Sequence, residues 1–465
     1  MCANFRYRFG IRKRPLASKV IISTSDIHAK VENFPQLATA VKLSRDTVLT
    51  MLVDAGDRWT GNAYVDMAKE PRRPVIDMMN ELGYDVATLG NHEFDDGQAF
   101  LGHINSVAEF DIVCANCLSD TITFPQPPAY KIYTRGGIKI GFVGVITNYD
   151  RNNRPSGKEE SYVGLRFPDP QQVAMEQAEE IRRKCDVLVL LSHMGDDMDH
   201  KLAQKCDAYD MIVCGHTHNL VDTLVNRTLL GQSGNNCKRV GVTYVKMKGT
   251  KIQELKYDIV ELKDYAPDPF FEERVERLHD NEALATPVGE SRELLYRVGL
   301  AAWEVDAVKR AMGVDIALYH RGGIRFNPMP STQISVGDIY GLEPFSSTIY
   351  TMTMTPAQLR QMIIAKYNDT ENPKESHSLD IYSNIPYTIY VDAAGEAVDV
   401  VFVGLNEDQQ YSVAMGDYMY ANYKGIEAEN VATEGILLTD ILINDLRENS
   451  PIDYSNEPVQ RVLKR

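Results

Sequence analysis

Between Lys19 and about Asp210, short runs of Val, Ile and Leu alternate with longer stretches in which apolar residues recur every three or four positions. The runs have strand length and the stretches have helical period, so this span predicts a layered α/β domain. The predicted strands cover residues 20–24, 48–53, 86–89, 110–113, 138–145, 187–191 and 211–214, and amphipathic helices are predicted at 74–82, 98–108 and 170–184. Residues 239–262 read as two or three further strands that close the domain. Prolines then flank a charged helical stretch at 270–284, beyond which a new apolar pattern begins with a helix at 292–312 and a strand at 316–319. Mixed strands follow, and then a helix near 437–446. The implied organisation is a basic segment at 1–18, a first domain at 19–263, a connector at 264–287 and a second domain at 288–465.

Polar residues and glycines cluster where the predicted strands end, which is where α/β folds build their sites. Asp26 and His28 follow the first strand, Asp57 the second, Asn91, His92 and Asp95 the third, His193 the sixth, and His216 and His218 the seventh. Five of the ten histidines therefore sit after strands, beside carboxylates or glycines. Mixed imidazole and carboxylate ligands suit zinc, manganese, iron, cobalt or nickel, whereas magnesium and calcium want nearly all oxygen. In an Asp-x-His triplet leaving a strand both side chains face the same way, so Asp26 and His28 can grip one ion together, as can His216 and His218. Two ions about 3.5–4 Å apart need a bridging carboxylate, and Asp57 is the candidate.

At 465 residues the chain exceeds the size of one ordinary core and predicts two domains. With 44% hydrophobic and 25% charged residues it has the composition of a globular protein. A net charge of -16 disfavours partners that reward clustered Lys and Arg, such as nucleic acid or an anionic membrane, so any phosphate site has to be built locally. No apolar run approaches the roughly 20 residues of a membrane span. The basic start, with Arg6, Arg8, Arg12, Lys13 and Arg14, is not followed by the apolar region of a secretory signal. The expected location is cytoplasmic as written, or periplasmic or extracellular if a leader has been removed. Seven cysteines include one unmatched C-x-x-C pair, Cys114 and Cys117, expected to be small buried hydrophobes.

Taken in order, the motifs SDIH, AGDRW, GNHEFD, SHMG and GHTH resemble those of the calcineurin-like metallophosphoesterases, and specifically the 5′-nucleotidase family with its separate C-terminal substrate domain. That resemblance implies an α/β fold: a four-layer β-sandwich flanked by helices, followed by a smaller α+β substrate-binding domain. It implies two divalent transition-metal ions (manganese, zinc, cobalt or iron), one held by Asp26, His28, Asp57 and His218, the other by Asp57, Asn91, His193 and His216. His92 matches the family's catalytic histidine and Asp95 would orient it; the alternative for Asp95 is the N-cap of the helix at 98–108.

In the second half, YHRGGIRF resembles the family's substrate motif ending in G-G-x-R, which assigns Arg325 to substrate. Matching outward assigns Arg292, the aromatics Phe345 and Tyr418 that would sandwich a base, and His320. His320 and Arg321 stand where the family usually has Asn and Gly, and residues 421–424 read Ala, Asn, Tyr, Lys in place of N-G-G-D, removing the carboxylate that grips a ribose. The implied activity is hydrolysis of a nucleotide or other small phosphoester with release of phosphate. Alternatives are a 2′,3′-cyclic nucleotide phosphodiesterase, a UDP-sugar hydrolase, and a catalytically silent nucleotide-binding protein; a nuclease is disfavoured by the acidic balance. Oligomeric state is left open.

Overall fold

The computed structural model of the chain describes residues 19–120, 124–149, 153–370 and 376–465. The basic segment at 1–18, with Cys2, lies outside the described residues.

Two six-stranded sheets form the first domain. Its strands are β1 (Lys19–Thr24), β2 (Leu49–Asp54), β3 (Val86–Ala87), β4 (Asp111–Ile112), β5 (Tyr130–Arg135) and β6 (Ile138–Ile146), then β7 (Val187–His193), β8 (Met211–Cys214), β9 (Leu220–Val225), β10 (Thr228–Ser233), β11 (Arg239–Lys248) and β12 (Lys251–Glu261). One sheet runs β12-β11-β1-β2-β3-β4, the other β9-β10-β8-β7-β6-β5. Within each, the central strands pair in parallel and an antiparallel strand or hairpin closes the edge.

Strand period explains why the central segments read as unbroken apolar runs. In β1 and β2, Ile21, Met51 and Val53 point into the space between the sheets, where they meet Val189, Leu191 and Val213. Their neighbours Val20, Ile22 and Leu52 point outward onto helical residues such as Phe34, Leu37, Val75, Ile76 and Met79. On the second sheet, Leu188, Leu190 and Ile212 pack outward against Ala174, Ala178 and Ile181. The layers are therefore helix, sheet, sheet, helix, as expected.

Of the strands in these two sheets, three were not expected from sequence: β5, β9 and β10. Two of them are sheet edges with polar outer faces, and in β9 Leu220 and Leu224 are exposed, so their apolar pattern is diluted. The expected connector also differs. The helix Pro269–His279, capped by the Asp268 carboxylate, buries Phe271 in the first domain's outer core and pairs Arg274 with Glu81. It is a packed element of the first domain.

The second domain centres on a five-stranded mixed sheet in the order Ile381–Ser383, Ile316–His320, Tyr411–Gly416, Thr348–Met354, Glu429–Leu437. Helices Arg297–Met312 and Leu438–Asn449 cover one face and Pro356–Tyr367 the other. The first of these starts at Arg297, five residues later than its period suggested, because Ser291 is held in a bridge to Ile452. Among the described residues no helix is long and apolar enough to cross a membrane. Cys114 and Cys117 are buried free thiols.

Glu304, on the helix Arg297–Met312, is 1% exposed and neither carboxyl oxygen has a hydrogen-bond partner. Burial, and secondarily the charge of Glu343, holds its pKa well above the ordinary 4.5, so it folds protonated. The unfolded carboxyl ionises normally, so stability falls as pH rises beyond 4.5. Glu304→Met is expected to stabilise the chain by about 1–3 kcal/mol at pH 8 and by clearly less at pH 5, read by thermal unfolding at the two pH values.

Candidate metal centre

The ends of the parallel strands meet at one point, and the backbone there is forced. Asp26, His28, Asp57, His216 and His218 all adopt left-handed conformations, with φ of 51°, 50°, 56°, 76° and 61°. Such conformations cost of order 1–3 kcal/mol each in a non-glycine residue and persist where surrounding structure over-determines them. Close approach adds a second constraint. A Cβ on Gly90 would lie 2.3 Å from Asp57 Oδ1, so only glycine lets the turn after β3 pass this carboxylate.

The result is three overlapping groups of potential ligands. In each of them, Asp26, His28 and His218, then His28, Asp57 and His92, then Asp57, His193 and His216, the ligand atoms all lie within 4.8 Å of one another. His218 Nε2 is 3.4 Å from Asp26 Oδ1 and 3.0 Å from His28 Nε2. Asp57 Oδ2 lies 3.1 Å from His193 Nε2 and 4.0 Å from His28 Nε2, so this carboxylate stands between the groups. Asn91 Oδ1 is 3.0 Å from His216 Nδ1, which brings the seventh expected residue into the cluster.

The donor set fits a cation. His193 Nδ1 donates to the Ala55 carbonyl oxygen at 2.7 Å, which turns Nε2 toward Asp57. That atom is buried and has no hydrogen-bond partner, although Asp57 Oδ2 is close by. An imidazole fixed through one nitrogen to a backbone carbonyl, with the other 3.1 Å from a carboxylate oxygen, is arranged as metal ligands are. Burial alone would raise the Asp57 carboxyl, but His193, His92 and His28 outweigh it and hold it well below the ordinary range. For His193 burial lowers the pKa, yet the charge of Asp57 and the contact with it push the ring up to about 10. A cation between them would replace that proton.

His92 and Asp95 sit at the edge of this cluster. His92 Nδ1 donates to Asp95 Oδ2 at 2.9 Å, and the same oxygen accepts from Thr60 Oγ1 at 2.7 Å. Burial lowers the His92 pKa, but Asp95 and then Asp57 more than offset this and raise it, favouring the imidazolium. The N-cap alternative for Asp95 is corrected: the helix Gln98–Ser106 begins after Gly97 and has no side-chain cap.

Among the residues expected to contact substrate, the outcome is mixed. Arg325 reaches across from the second domain to place Nη2 3.1 Å from His28 Nδ1. Phe345 stacks on His92, with centroids 5.7 Å apart, and lies 5.5 Å beneath the Arg325 guanidinium. Tyr418 stacks on His320 at 4.7 Å, while His320 Nδ1 accepts the Gly323 N–H. These residues line a cavity of about 1010 Å³ that opens from the cluster, but each aromatic already has one face covered within the chain. Arg292 is not part of it. Its side chain is 65% exposed and lies 3.6 Å from Asp453, because the chain reaches the helix only at Arg297.

Sequence reasoning missed Glu93, fully buried in the GNHEFD motif. Its carboxylate accepts the backbone N–H groups of Asp57 at 3.0 Å, Arg58 at 2.8 Å and Gly90, tying the loops that carry Asp57 and Asn91. Gln232 was also missed; it donates to Asp26 Oδ2 at 3.1 Å. The acidic residue beside His92 was a visible signal for Glu93, whereas nothing local marks Gln232.

With this geometry in hand, comparison with known proteins is direct. Residues 19–220 match the family model for calcineurin-like phosphoesterases, and residues 284–430 match that for the 5′-nucleotidase C-terminal domain. The chain thus carries a calcineurin-like phosphoesterase domain followed by a 5′-nucleotidase C-terminal domain. It is 27% identical to Endonuclease YhcR of Bacillus subtilis over 80% of this chain and 33% of that protein. It is 23% identical to the trifunctional nucleotide phosphoesterase YfkN of the same organism, over 89% and 32%. The chain thus spans about a third of the length of these relatives. The crystal structure of a 5′-nucleotidase precursor from Thermus thermophilus superposes with a TM-score of 0.82 at 21% identity, covering 96% of this chain and 99% of that one. The sulfate thiohydrolase SoxB of Thermus thermophilus superposes with a TM-score of 0.80 at 17% identity, covering 98% of both chains. At these identities the two structures establish the shared fold.

Removing the Glu93 tie tests the site without touching a ligand. Glu93→Gln is expected to weaken divalent-metal affinity ~10–100-fold with the fold retained, measured by metal titration of chelator-treated protein alongside circular dichroism.

Proposed function

We propose that the chain is a two-metal phosphoesterase that hydrolyses nucleotides or closely related small phosphoesters and releases phosphate. The observation that carries this reading is the Asp57 carboxylate standing between two imidazole and carboxylate groups, with an orphaned His193 Nε2 beside it. In this reading Asp26, His28, Asp57 and His218 hold one ion, and Asp57, Asn91, His193 and His216 hold the other. Manganese, zinc, cobalt and iron suit these donors. Bound divalent cations supply Lewis acidity toward phosphoryl oxygens and lower the pKa of water.

The chain's own groups do the rest. Asp95 fixes the His92 tautomer through Nδ1, leaving Nε2–H to donate to a phosphoryl oxygen as negative charge grows there. Arg325 presents a planar fork to the same phosphoryl group. The cavity lined by Phe345, Tyr418 and His320 receives the organic part of the ester, against aromatic faces that suit a base. The name of YfkN, a trifunctional nucleotide phosphoesterase, is in keeping with this reading. Retention of His92, Asp95 and every ligand argues against a silent binding protein.

A panel of mono-, di-, cyclic and sugar-linked nucleotides, with single-stranded oligonucleotides included because one relative is an endonuclease, tests it. Phosphate release in manganese, cobalt or zinc is expected, abolished by chelator and lowered ~100–1000-fold in His92→Ala. Metal-replete protein inert on the whole panel sinks the hydrolase reading. Within the same assay Arg325→Ala is expected to cost ~10–100-fold in kcat/KM. Arg292→Ala, altering an exposed residue remote from the cavity, is expected to leave it unchanged; a loss equal to that of Arg325→Ala would overturn the correction above.

A further inference from the structure

Beside the metal cluster, on the His28 and His218 side, lies a second and smaller cavity of about 310 Å³. Four cationic side chains line it: Lys30 from the first domain and Arg297, Arg321 and Arg325 from the second. The cavity and the large one share His218, Gly322 and Arg325, so they branch from the same point.

What sets these cations apart is the lack of carboxylate partners. Elsewhere the chain answers its buried arginines: Arg72 pairs with Asp66 and Asp96, and Arg58 lies 3.7 Å from Glu93 and 3.8 Å from Asp54. Among the described residues, no Asp or Glu forms an ion pair with Lys30, Arg297, Arg321 or Arg325, and Arg297 Nε is buried without a hydrogen-bond partner. The one acid in the cavity, Asp380, is already engaged by the Tyr423 hydroxyl and by Lys366 at 3.8 Å. Burial and then the neighbouring Arg321 charge depress the Arg297 pKa, the mark of like charges held together. Glu32 and Asp66 act on Lys30, and Asp57 and Asp95 on Arg325, only from beyond ion-pair distance, so in a protein of net charge -16 four cations lining one cavity still favour an anion there.

The position relative to the cluster indicates which anion. With a scissile phosphoryl group at the metals and the organic part in the large cavity, the small cavity lies where a second charged substituent would reach. Four positive charges match a phosphate dianion better than a singly charged carboxylate, and planar guanidinium forks match its oxygens. Arg321 also stands where the family resemblance leads one to expect glycine.

We propose that this cavity binds the second phosphate of a bisphosphorylated substrate, with Arg297 and Arg321 as specificity-determining residues. This rests on the phosphoesterase reading for its direction, but its test is a binding measurement. The chelator-treated chain, titrated calorimetrically with inorganic phosphate, is expected to bind it, and Arg297→Gln plus Arg321→Gln to weaken binding ~10–100-fold. Arg321 is exposed, so Arg321→Gln alone, with its unfolding temperature checked, carries the test if the double variant misfolds. In metal-loaded His92→Ala protein, a nucleoside 3′,5′-bisphosphate is expected to bind at least ~10-fold more tightly than the 5′-monophosphate, and the Arg321→Gln change to erase that margin. No phosphate binding to the chelated protein, or binding indifferent to Arg297 and Arg321, overturns the proposal. Phosphate binding without a bisphosphate margin assigns the cavity to released phosphate and overturns the substrate role. A bisphosphate margin in a protein that releases no phosphate from any ester sinks the hydrolase reading and leaves the anion site standing.

Discussion

The rest of the structure depends on one buried carboxylate. Asp57 is 2% exposed, and a charged carboxylate in that setting needs compensation that water cannot give. Imidazoles supply it from His193, His92 and His28, which stand at or just beyond the ends of three separate strands. Those side chains can converge only if the strands beneath them are parallel and end at one level. They can come close enough only if Gly90 lacks a side chain, and they stay in place only with residues held at positive φ. The stability of the two-sheet core is what opposes that strain.

A second layer of charge keeps the arrangement from relaxing. Glu93 ties the backbone of the Asp57 loop to the turn that carries Asn91 and His92. Arg58 answers Glu93 from the buried side and donates to the Thr88 carbonyl oxygen at 2.6 Å. The ligands are therefore positioned by a network in which each acid has a cation or several N–H donors. Against that background the Lys30, Arg297, Arg321 and Arg325 cavity is the exception, where cationic groups are assembled and left for something else to neutralise.

Much of this was legible from residue order. β1, β2, β6, β7 and β8 are buried on both faces and so read as continuous apolar runs, and the chemistry-bearing residues stand directly after strands. The edge strands β5 and β9 were not legible, because one face of each meets water and their apolar pattern is broken. Arg292 was misplaced for a related reason. Helical periodicity continues backward past Tyr296, but a bridge between Ser291 and Ile452, 161 positions apart, holds that stretch extended.

The sequence by itself determined the candidate ligand types, their order along the chain, and the pairing of His92 with Asp95, because each is carried by a short segment whose chemistry is local. Tertiary structure alone decided which of these groups lie together, that Glu93 and Gln232 brace them, and that Arg325 and Phe345 arrive from the other domain. It alone brought Lys30 together with Arg297 and Arg321. The physical reason is separation: Asp26 and His218 are 192 positions apart and meet at 3.4 Å only when two sheets pack face to face. Electrostatic interaction depends on distance through space, which one-dimensional order encodes only within a turn or a strand.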